Sequence, residues 1–301
     1  NAFPSTVKIA TLTESGGRLT DTGTAAADIV VANVQGLGAR CLKRFQTVKR
    51  RPDGSCYAGW RYGPIHAAGV KFLTRFGTLF GDEVHDLSSD SWSKVIGACP
   101  ARYRVALSAT PDASGDKARE FLRVGLFGEV VAEVKQEFLR DEGHSVPVAV
   151  RLLRYAPGPP LHGSWALQYR RGIVACDARN AAFAERIFYD ARHALRCLVL
   201  VERYEHAERL ADATARLGMP RSLMSFAFGS NRETRPEVLT DFRSGRVPVI
   251  FATRVLGTGV DLKEIDRLFI AAAGGAVEAV SVQRGGRLVR FREGKDAVLY
   301  D

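Results

Sequence analysis

Two adjacent carboxylates, Asp82 and Glu83, are followed by His85 and come directly after the apolar segment 76–80. At the carboxyl end of a buried strand, such a pair is suited to metal-assisted hydrolysis. One carboxylate can hold Mg²⁺ through water, and the other can take a proton from an attacking water. Segment 82–85 is therefore the first candidate for catalysis in this chain.

Two hydroxyl residues, Ser108 and Thr110, follow the next predicted strand, 103–107. Because Ser108 and Thr110 lie one strand after the acidic pair, they are placed to form hydrogen bonds to it. A change at the acidic pair would then be transmitted through them to another surface. Taken alone, the same residues suit a turn or a helix cap. Their spacing from Asp82 favours the first interpretation.

Two segments of the second half also carry residues suited to phosphate chemistry. Segment 253–261 (TRVLGTGVD) mixes glycines, hydroxyls and one acid, so its backbone could approach a sugar or phosphate closely. In segment 283–290, Gln283, Arg287 and Arg290 project from one helical face. Such a row is typical of a solvated basic helix, but three converging donors would also stabilise charge on a transferring phosphoryl group.

Two regions of the first half could contact nucleic acid. Asn33 and Gln35 end a predicted strand, where ligands gather in open α/β sheets, although they could equally cap the next helix. Segment 49–69 loses periodicity and interleaves basic with aromatic residues. It could stack bases and neutralise phosphates, or it could be a surface loop with anchoring aromatics.

Length and composition predict two domains and a reducing compartment. The 301 residues are 46% hydrophobic, with a formal charge of +10 and a pI near 9.6, which favours a polyanionic partner or simply solubility. The five cysteines are scattered without a C-x-x-C pair, so a zinc site is not expected. No apolar run of membrane-spanning length and no signal pattern occurs. These features predict a protein that is cytoplasmic, or in the nucleoid or host cytoplasm if phage-encoded, and not secreted.

The pattern of elements predicts an α/β fold. Buried strands alternate with helices in both halves, which implies a parallel sheet flanked by helices in each. A stretch rich in proline and glycine suggests the boundary. We predict a first lobe over 1–142, a linker region over 143–165 and a second lobe over 166–301.

The ordered set of motifs resembles the superfamily 2 helicases and translocases of the DEAD/DEAH-box type. Segment 82–85 looks like motif II, 108–110 like motif III, 197–202 like motif IV, 253–261 like motif V, 283–290 like motif VI, and Asn33 with Gln35 like motif Ib. The resemblance implies two RecA-like lobes that close on ATP and Mg²⁺, the first lobe incomplete at its N-terminus.

The resemblance also implies a role for each matched residue. Asp82 and Glu83 would hold Mg²⁺, mainly through water, and Glu83 would deprotonate the attacking water. His85 would couple to Gln283, and Arg287 and Arg290 would act as arginine fingers. The remaining roles are Ser108 and Thr110 in coupling, Gly259 and Asp261 near the nucleotide, and Asn33, Gln35, Thr253 and Gly257 at the nucleic-acid backbone.

Within the superfamily, motif VI followed by segment 294–301, and the pair Arg179 and Asn180, are most similar to the XPB, UvsW and type III restriction translocase branch. The implied function is an ATP-dependent DNA helicase or translocase, with duplex or branched DNA favoured over RNA. The alternatives are an RNA helicase, a non-hydrolytic nucleic-acid-binding module and the motor subunit of a restriction nuclease.

The chain departs from the family pattern in one respect. The family's phosphate-binding P-loop, G-x-x-x-x-G-K-[ST], does not occur, because the only Gly-Lys pair, Gly294 and Lys295, is followed by Asp296. We expect the P-loop upstream of Asn1 or on another polypeptide. The 301 residues alone are then expected to hydrolyse ATP poorly or not at all.

Overall fold

A computed structural model describes residues 7–15, 18–50, 56–84, 90–109, 111, 116–156, 158, 162–228, 235–253, 262–272, 292 and 294–301. The chain forms two compact units, residues 1–131 and 132–301. Among these residues, no helix is both long enough and apolar enough to cross a membrane.

The first unit contains seven strands and four α-helices among its described residues. The strands are β1 (Ile9–Ser15), β2 (Arg18–Asp21), β3 (Ile29–Ala32), β4 (Leu42–Arg50), β5 (Cys56–Ile65), β6 (Thr78–Gly81) and β7 (Tyr103–Ala106). The helices are α1 (Val34–Cys41), α2 (Ala67–Leu73), α3 (Asp90–Ala98) and α4 (Lys117–Phe127).

These strands form three separate sheets, in the orders β2-β1-β3, β4-β5 and β6-β7. Within the described residues of this half, the expected parallel pairing is divided between separate sheets. Strands β1 and β3 are parallel, as are β6 and β7, but β2 follows β1 after only two residues and pairs with it antiparallel. So short a connection cannot carry the crossover that parallel pairing requires.

The parallel strands of the first unit bury one face each. Leu12 of β1 lies in a core with Leu42 and Phe72, while Ile9 and Val31 on the other face are exposed. On β6 and β7, Phe80 is 70% exposed and lies on one face with Tyr103 and Leu107, which are also exposed.

The second unit contains six strands and five α-helices among its described residues. The strands are β8 (Val148–Arg151), β9 (Cys197–Leu200), β10 (Met224–Ala227), β11 (Val249–Ala252), β12 (Arg267–Ile270) and β13 (Ala297–Tyr300). The helices are α5 (Gln136–Asp141), α6 (Trp165–Tyr169), α7 (Asp177–Arg192), α8 (Tyr204–Arg216) and α9 (Arg235–Ser244). A π-helical turn, Arg170–Val174, follows α6.

All six strands join one parallel sheet in the order β10-β11-β9-β12-β13-β8. Strands β9, β11 and β12 are buried at every position, as expected of parallel strands covered on both faces. Residues of α7 and α8 pack on one face and residues of α9 on the other. The predicted α/β fold with a helix-flanked parallel sheet is confirmed here. Strand β8 lies inside the predicted linker region 143–165.

The structure corrects one interpretation of the first unit. Helix α1 ends at Cys41, and β4 begins at the next residue. Segment 49–69, which loses periodicity in the sequence, is not a surface loop throughout: its described residues contribute to the long hairpin of β4 and β5 and then to α2.

Candidate active site

The acidic pair lies at the carboxyl end of β6 and is held against the end of β7. Leu107 donates its backbone N–H to the carbonyl of Gly81 at 2.8 Å, and its carbonyl accepts from the N–H of Val84 at 3.2 Å. Asp82 and Glu83 are both exposed between these two hydrogen bonds. The residue after Leu107 is Ser108, so the two predicted motifs meet at one edge of the β6–β7 sheet.

The backbone at Glu83 is left-handed, with φ at +53°. This conformation costs a residue with a side chain about 1–2 kcal/mol. The Asp82 carboxylate partly compensates, because Oδ1 accepts the Glu83 N–H at 3.0 Å. Strained residues of this kind are concentrated at functional sites. His85 and Thr110, predicted to work with this pair, lie outside the described residues.

The two predicted nucleic-acid contacts of the first unit begin α1. Asn33 is the N-cap of this helix, and its Oδ1 accepts the N–H of Gly36 at 2.7 Å. The capping alternative for Asn33 is thus what the structure shows. Gln35 lies in the first turn of the same helix. Contact with a nucleic-acid backbone stays a prediction for both residues.

In the second unit, the segments that carry the other predicted residues start from one edge of the sheet. Strand β11 ends just before Thr253, and β12 ends just before Ala271 and Ala272; both strands pair with β9. Two strand spacings separate these starting points, which is about 10 Å. In open α/β sheets, ligands bind beyond this edge. The predicted residues Gly257, Gly259, Asp261, Gln283, Arg287 and Arg290 lie outside the described residues.

The buried side chain of Arg179 fixes the end of β12. Its Nη1 donates to the carbonyl of Ala271 at 2.9 Å, and its guanidinium lies over the ring of Phe183, 4.6 Å from the centroid. The next residue, Ala272, donates its N–H to the carbonyl of Leu200 at 2.9 Å. The start of the segment that carries Gln283, Arg287 and Arg290 is therefore fixed from two sides.

The residue after Arg179, Asn180, forms hydrogen bonds in the protein interior with Val174 and His206. Asn180 Nδ2 donates to the carbonyl of Val174 at 2.9 Å, so its Oδ1 accepts from His206 Nε2 at 3.1 Å. His206 Nδ1 has no hydrogen-bond partner in the described part of the chain. Burial, together with the positive charges of Arg179 and Arg209, lowers the pKa of His206 to about 4. No local pattern identifies His206, because its hydrogen-bond partner Asn180 lies on α7, 26 residues away.

Replacing His206 by glutamine is expected to flatten the acid dependence of stability. His206 is neutral in the folded protein and protonates near pH 6.5 when unfolded, so its contribution is complete above about pH 6.5 and is lost as the pH falls toward 4. The expected loss in the wild type between pH 7 and pH 4 is about 3 kcal/mol more than in the variant. Urea denaturation at a series of pH values measures it. The exposed His144, replaced by glutamine, is the control, and equal profiles of the two variants would contradict the assignment.

Metal-binding and nucleophilic clusters are not evident in the described ranges. No group of three or more His, Cys, Asp or Glu side chains in them could enclose a metal ion. All five cysteines are free. Burial raises the pKa of Cys41 to about 11 and that of Cys197 well above its usual range, so both stay protonated and unreactive.

One match to a known protein family lies within the second unit. Residues 179–292 match the family of the helicase conserved C-terminal domain, beginning at the arginine that fixes β12. The match supports the resemblance to superfamily 2 helicases but does not distinguish the XPB and UvsW branch within it.

Curated relatives of the chain include both RNA and DNA helicases. A pre-mRNA-processing ATP-dependent RNA helicase, prp5 of Sclerotinia sclerotiorum, is 35% identical over 77 residues, which are 26% of this chain and 7% of that protein. A putative DNA 3'-5' helicase, Rad25 of Halobacterium salinarum, is 25% identical over 221 residues, 71% of this chain and 34% of that protein. The chain thus spans a minor part of each relative.

Solved helicase structures share the fold over nearly the whole chain. The DUF1998 helicase MrfA bound to DNA matches with a TM-score of 0.61 and 15% identity, covering 97% of this chain and 38% of MrfA. Saccharomyces cerevisiae Dbp5 bound to RNA and ADP BeF3 matches with a TM-score of 0.56 and 13% identity, covering 98% of this chain and 63% of that one. At these identities the likeness concerns the fold alone.

Proposed function

We propose that this chain is part of an ATP-dependent DNA helicase or translocase. The observation that carries the proposal is the helicase C-terminal domain over 179–292 in the same chain as an exposed acidic pair on the preceding α/β unit. DNA is the proposed substrate because the DNA helicase relative aligns with 71% of the chain, against 26% for the first RNA helicase relative.

The acidic pair suits the role proposed for it. Asp82 and Glu83 are exposed at the end of a strand, where two carboxylates can hold Mg²⁺ through its water shell. When bound, Mg²⁺ neutralises charge on the phosphates of ATP. Glu83 would accept a proton from the attacking water, and Arg287 and Arg290 would stabilise charge on the transferring phosphoryl group. The proposal requires a P-loop supplied outside these 301 residues.

ATP hydrolysis tests the proposal directly. We expect the longest natural polypeptide that contains this chain to hydrolyse ATP faster when duplex or branched DNA is added, and less so with single-stranded RNA. Phosphate release with each nucleic acid, at fixed salt, measures it. Equal turnover with and without every nucleic acid would overturn the proposal, and stronger stimulation by RNA would reassign the substrate.

A second candidate is a non-hydrolytic module that binds nucleic acid. It is favoured by one observation, the lack of a G-x-x-x-x-G-K-[ST] sequence in these 301 residues. In the same assay this module would bind DNA without releasing phosphate. Hydrolysis by the natural polypeptide would eliminate it.

A further inference from the structure

Strands β4 and β5 form a hairpin that is a two-stranded sheet. Neither strand pairs with any other described strand. Its register runs antiparallel from Leu42 opposite Ile65, at the base, to Arg50 opposite Cys56. Nine residues of extended chain span about 30 Å. The hairpin is therefore an arm of about the length of one turn of a DNA duplex.

The arm leaves and rejoins the fold at one point. His66 donates its backbone N–H to the carbonyl of Cys41 at 3.0 Å, so the last residue of α1 is bonded to the N-cap of α2. Gly69 lies so close to Cys41 that a Cβ there would come within 2.4 Å of the Cys41 carbonyl oxygen. These two contacts between α1 and α2 involve no residue between Leu42 and Ile65.

Beyond its base, the arm adds little to the core. Leu42 is buried in the core of the first unit and Ile65 packs against it. Farther along β4, Phe45 is 51% exposed and Val48 is 78% exposed, although the Phe45 ring lies against Gly63. Two-stranded hairpins are marginal in water without a packed face. Burial of the described β4 side chains beyond Leu42 therefore does not explain this arm.

The charge of the arm is what distinguishes it. Residues 42–65 contain six Lys and Arg and one Asp, which is half of the net charge of the whole chain, together with four aromatic residues. Lys43 and Arg50 are exposed near the two ends of β4. Clustered cations attract phosphates, and aromatic faces stack on bases. The partner with complementary chemistry is a nucleic acid.

We propose that the β4–β5 hairpin is a nucleic-acid-binding arm that lies along duplex DNA. A two-stranded ribbon fits the major groove, which is about 12 Å wide, and basic residues at both ends of the strand would reach phosphates on its rims. The inference rests on the proposed function only in taking nucleic acid as the partner. It adds a contact apart from the predicted residues Asn33, Gln35, Thr253 and Gly257.

Two variants test the arm. In one, residues 43–64 are replaced by Asn-Gly, which can close the Leu42–Ile65 pair as a two-residue turn. In the other, Lys43→Glu and Arg50→Glu are combined. The control combines Lys135→Glu with Arg140→Glu, which are also exposed and change the charge by the same amount. Thermal melts confirm that each variant folds.

Binding of a fluorescein-labelled 20-base-pair DNA duplex is measured over a salt series without nucleotide. Losing two phosphate contacts is expected to lower the salt slope by about 2 and the affinity about 50-fold at 0.1 M salt, with at least as large a loss for the deletion. The control is expected to stay within about 3-fold of the wild type, since it removes no contact.

Three outcomes would overturn the proposal. If the charge reversals match the control while the wild type binds DNA, the arm is not a contact, and the proposed helicase function stands. If losses appear with a 20-nucleotide single strand but not with the duplex, the duplex assignment is wrong. If the wild type binds no nucleic acid, both this inference and the proposed function fail.

Discussion

Replacing Glu83 by glutamine is expected to lower nucleic-acid-stimulated ATP hydrolysis about 100-fold or more, because a positioned general base contributes about 10² to 10⁴ in rate. Glutamine keeps the size of the side chain and cannot accept the proton. The measurement is steady-state phosphate release by the natural polypeptide that contains this chain, at saturating DNA. Binding of DNA is expected to be unchanged.

Two comparisons make this result specific to the chemistry. Glu129→Gln changes an exposed carboxylate elsewhere in the first unit and is expected to leave turnover within about 2-fold, as is usual for surface positions. Asp82→Asn keeps an oxygen that can accept the Glu83 N–H, so it removes the charge while preserving the left-handed turn. Unchanged turnover in Glu83→Gln would refute the role assigned to that residue.

Replacing Asp190 by asparagine is expected to destabilise the second unit by about 3 to 5 kcal/mol, the cost of removing one partner from a buried ion pair. Asp190 is completely buried. Its carboxylate accepts from Arg186 Nε at 2.9 Å and Arg186 Nη2 at 2.6 Å, and it lies 3.6 Å from Arg267 Nε. The variant would remove the carboxylate that Arg186 binds and leave Arg267 paired with the exposed Asp296.

The matched control is Glu205→Gln on α8. Glu205 pairs with Arg209 at 3.3 Å, with the same four-residue spacing that separates Arg186 from Asp190. Both side chains of the Glu205–Arg209 pair are exposed. Exposed pairs of this kind contribute about 0.5 kcal/mol or less. Urea denaturation, monitored by hydrogen exchange of the backbone amides in β9 and β12, measures the loss of stability in both variants. Losses of equal size would show that burial of Asp190 has no energetic weight.

This destabilisation is expected to spare the candidate site. Arg267 is the first residue of β12, so the Asp190 cluster lies at the amino edge of the sheet. Arg179 bonds to Ala271, at the carboxyl edge of the same strand. We therefore expect Asp190→Asn to leave nucleotide turnover unchanged at temperatures where the variant is folded. A change in turnover under those conditions would indicate that the two edges of the sheet are coupled along β12.

The sequence predicted the elements that carry the acidic pair and hydroxyls, because a buried strand followed by a polar residue is a local signal. It could not predict that Leu107 holds both ends of the acidic segment, since that contact joins strands about 25 residues apart. Likewise, the order of the six-stranded sheet follows from pairing over long separations, and only its parallel character follows from local pattern.

The hairpin was missed for a different reason. A strand with one buried face alternates apolar and polar residues, but a two-sided exposed strand has no face to bury and so shows no period. Residues such as Phe45, Val48 and Arg50 therefore read as irregular. Its function could still be approached from the sequence, because charge and aromatic content do not depend on periodicity.

The hydrogen bond between His66 and Cys41 has a consequence for how this protein can vary. With the two helices joined at that bond, a peptide of almost any length can be accommodated between them, since doubling a loop costs only about 0.6 kcal/mol in closure entropy. The position is a natural insertion site. Arms of different length or chemistry could be exchanged there without altering the core, so the proposed contact with nucleic acid could change while the packing of α1 on α2 stays the same.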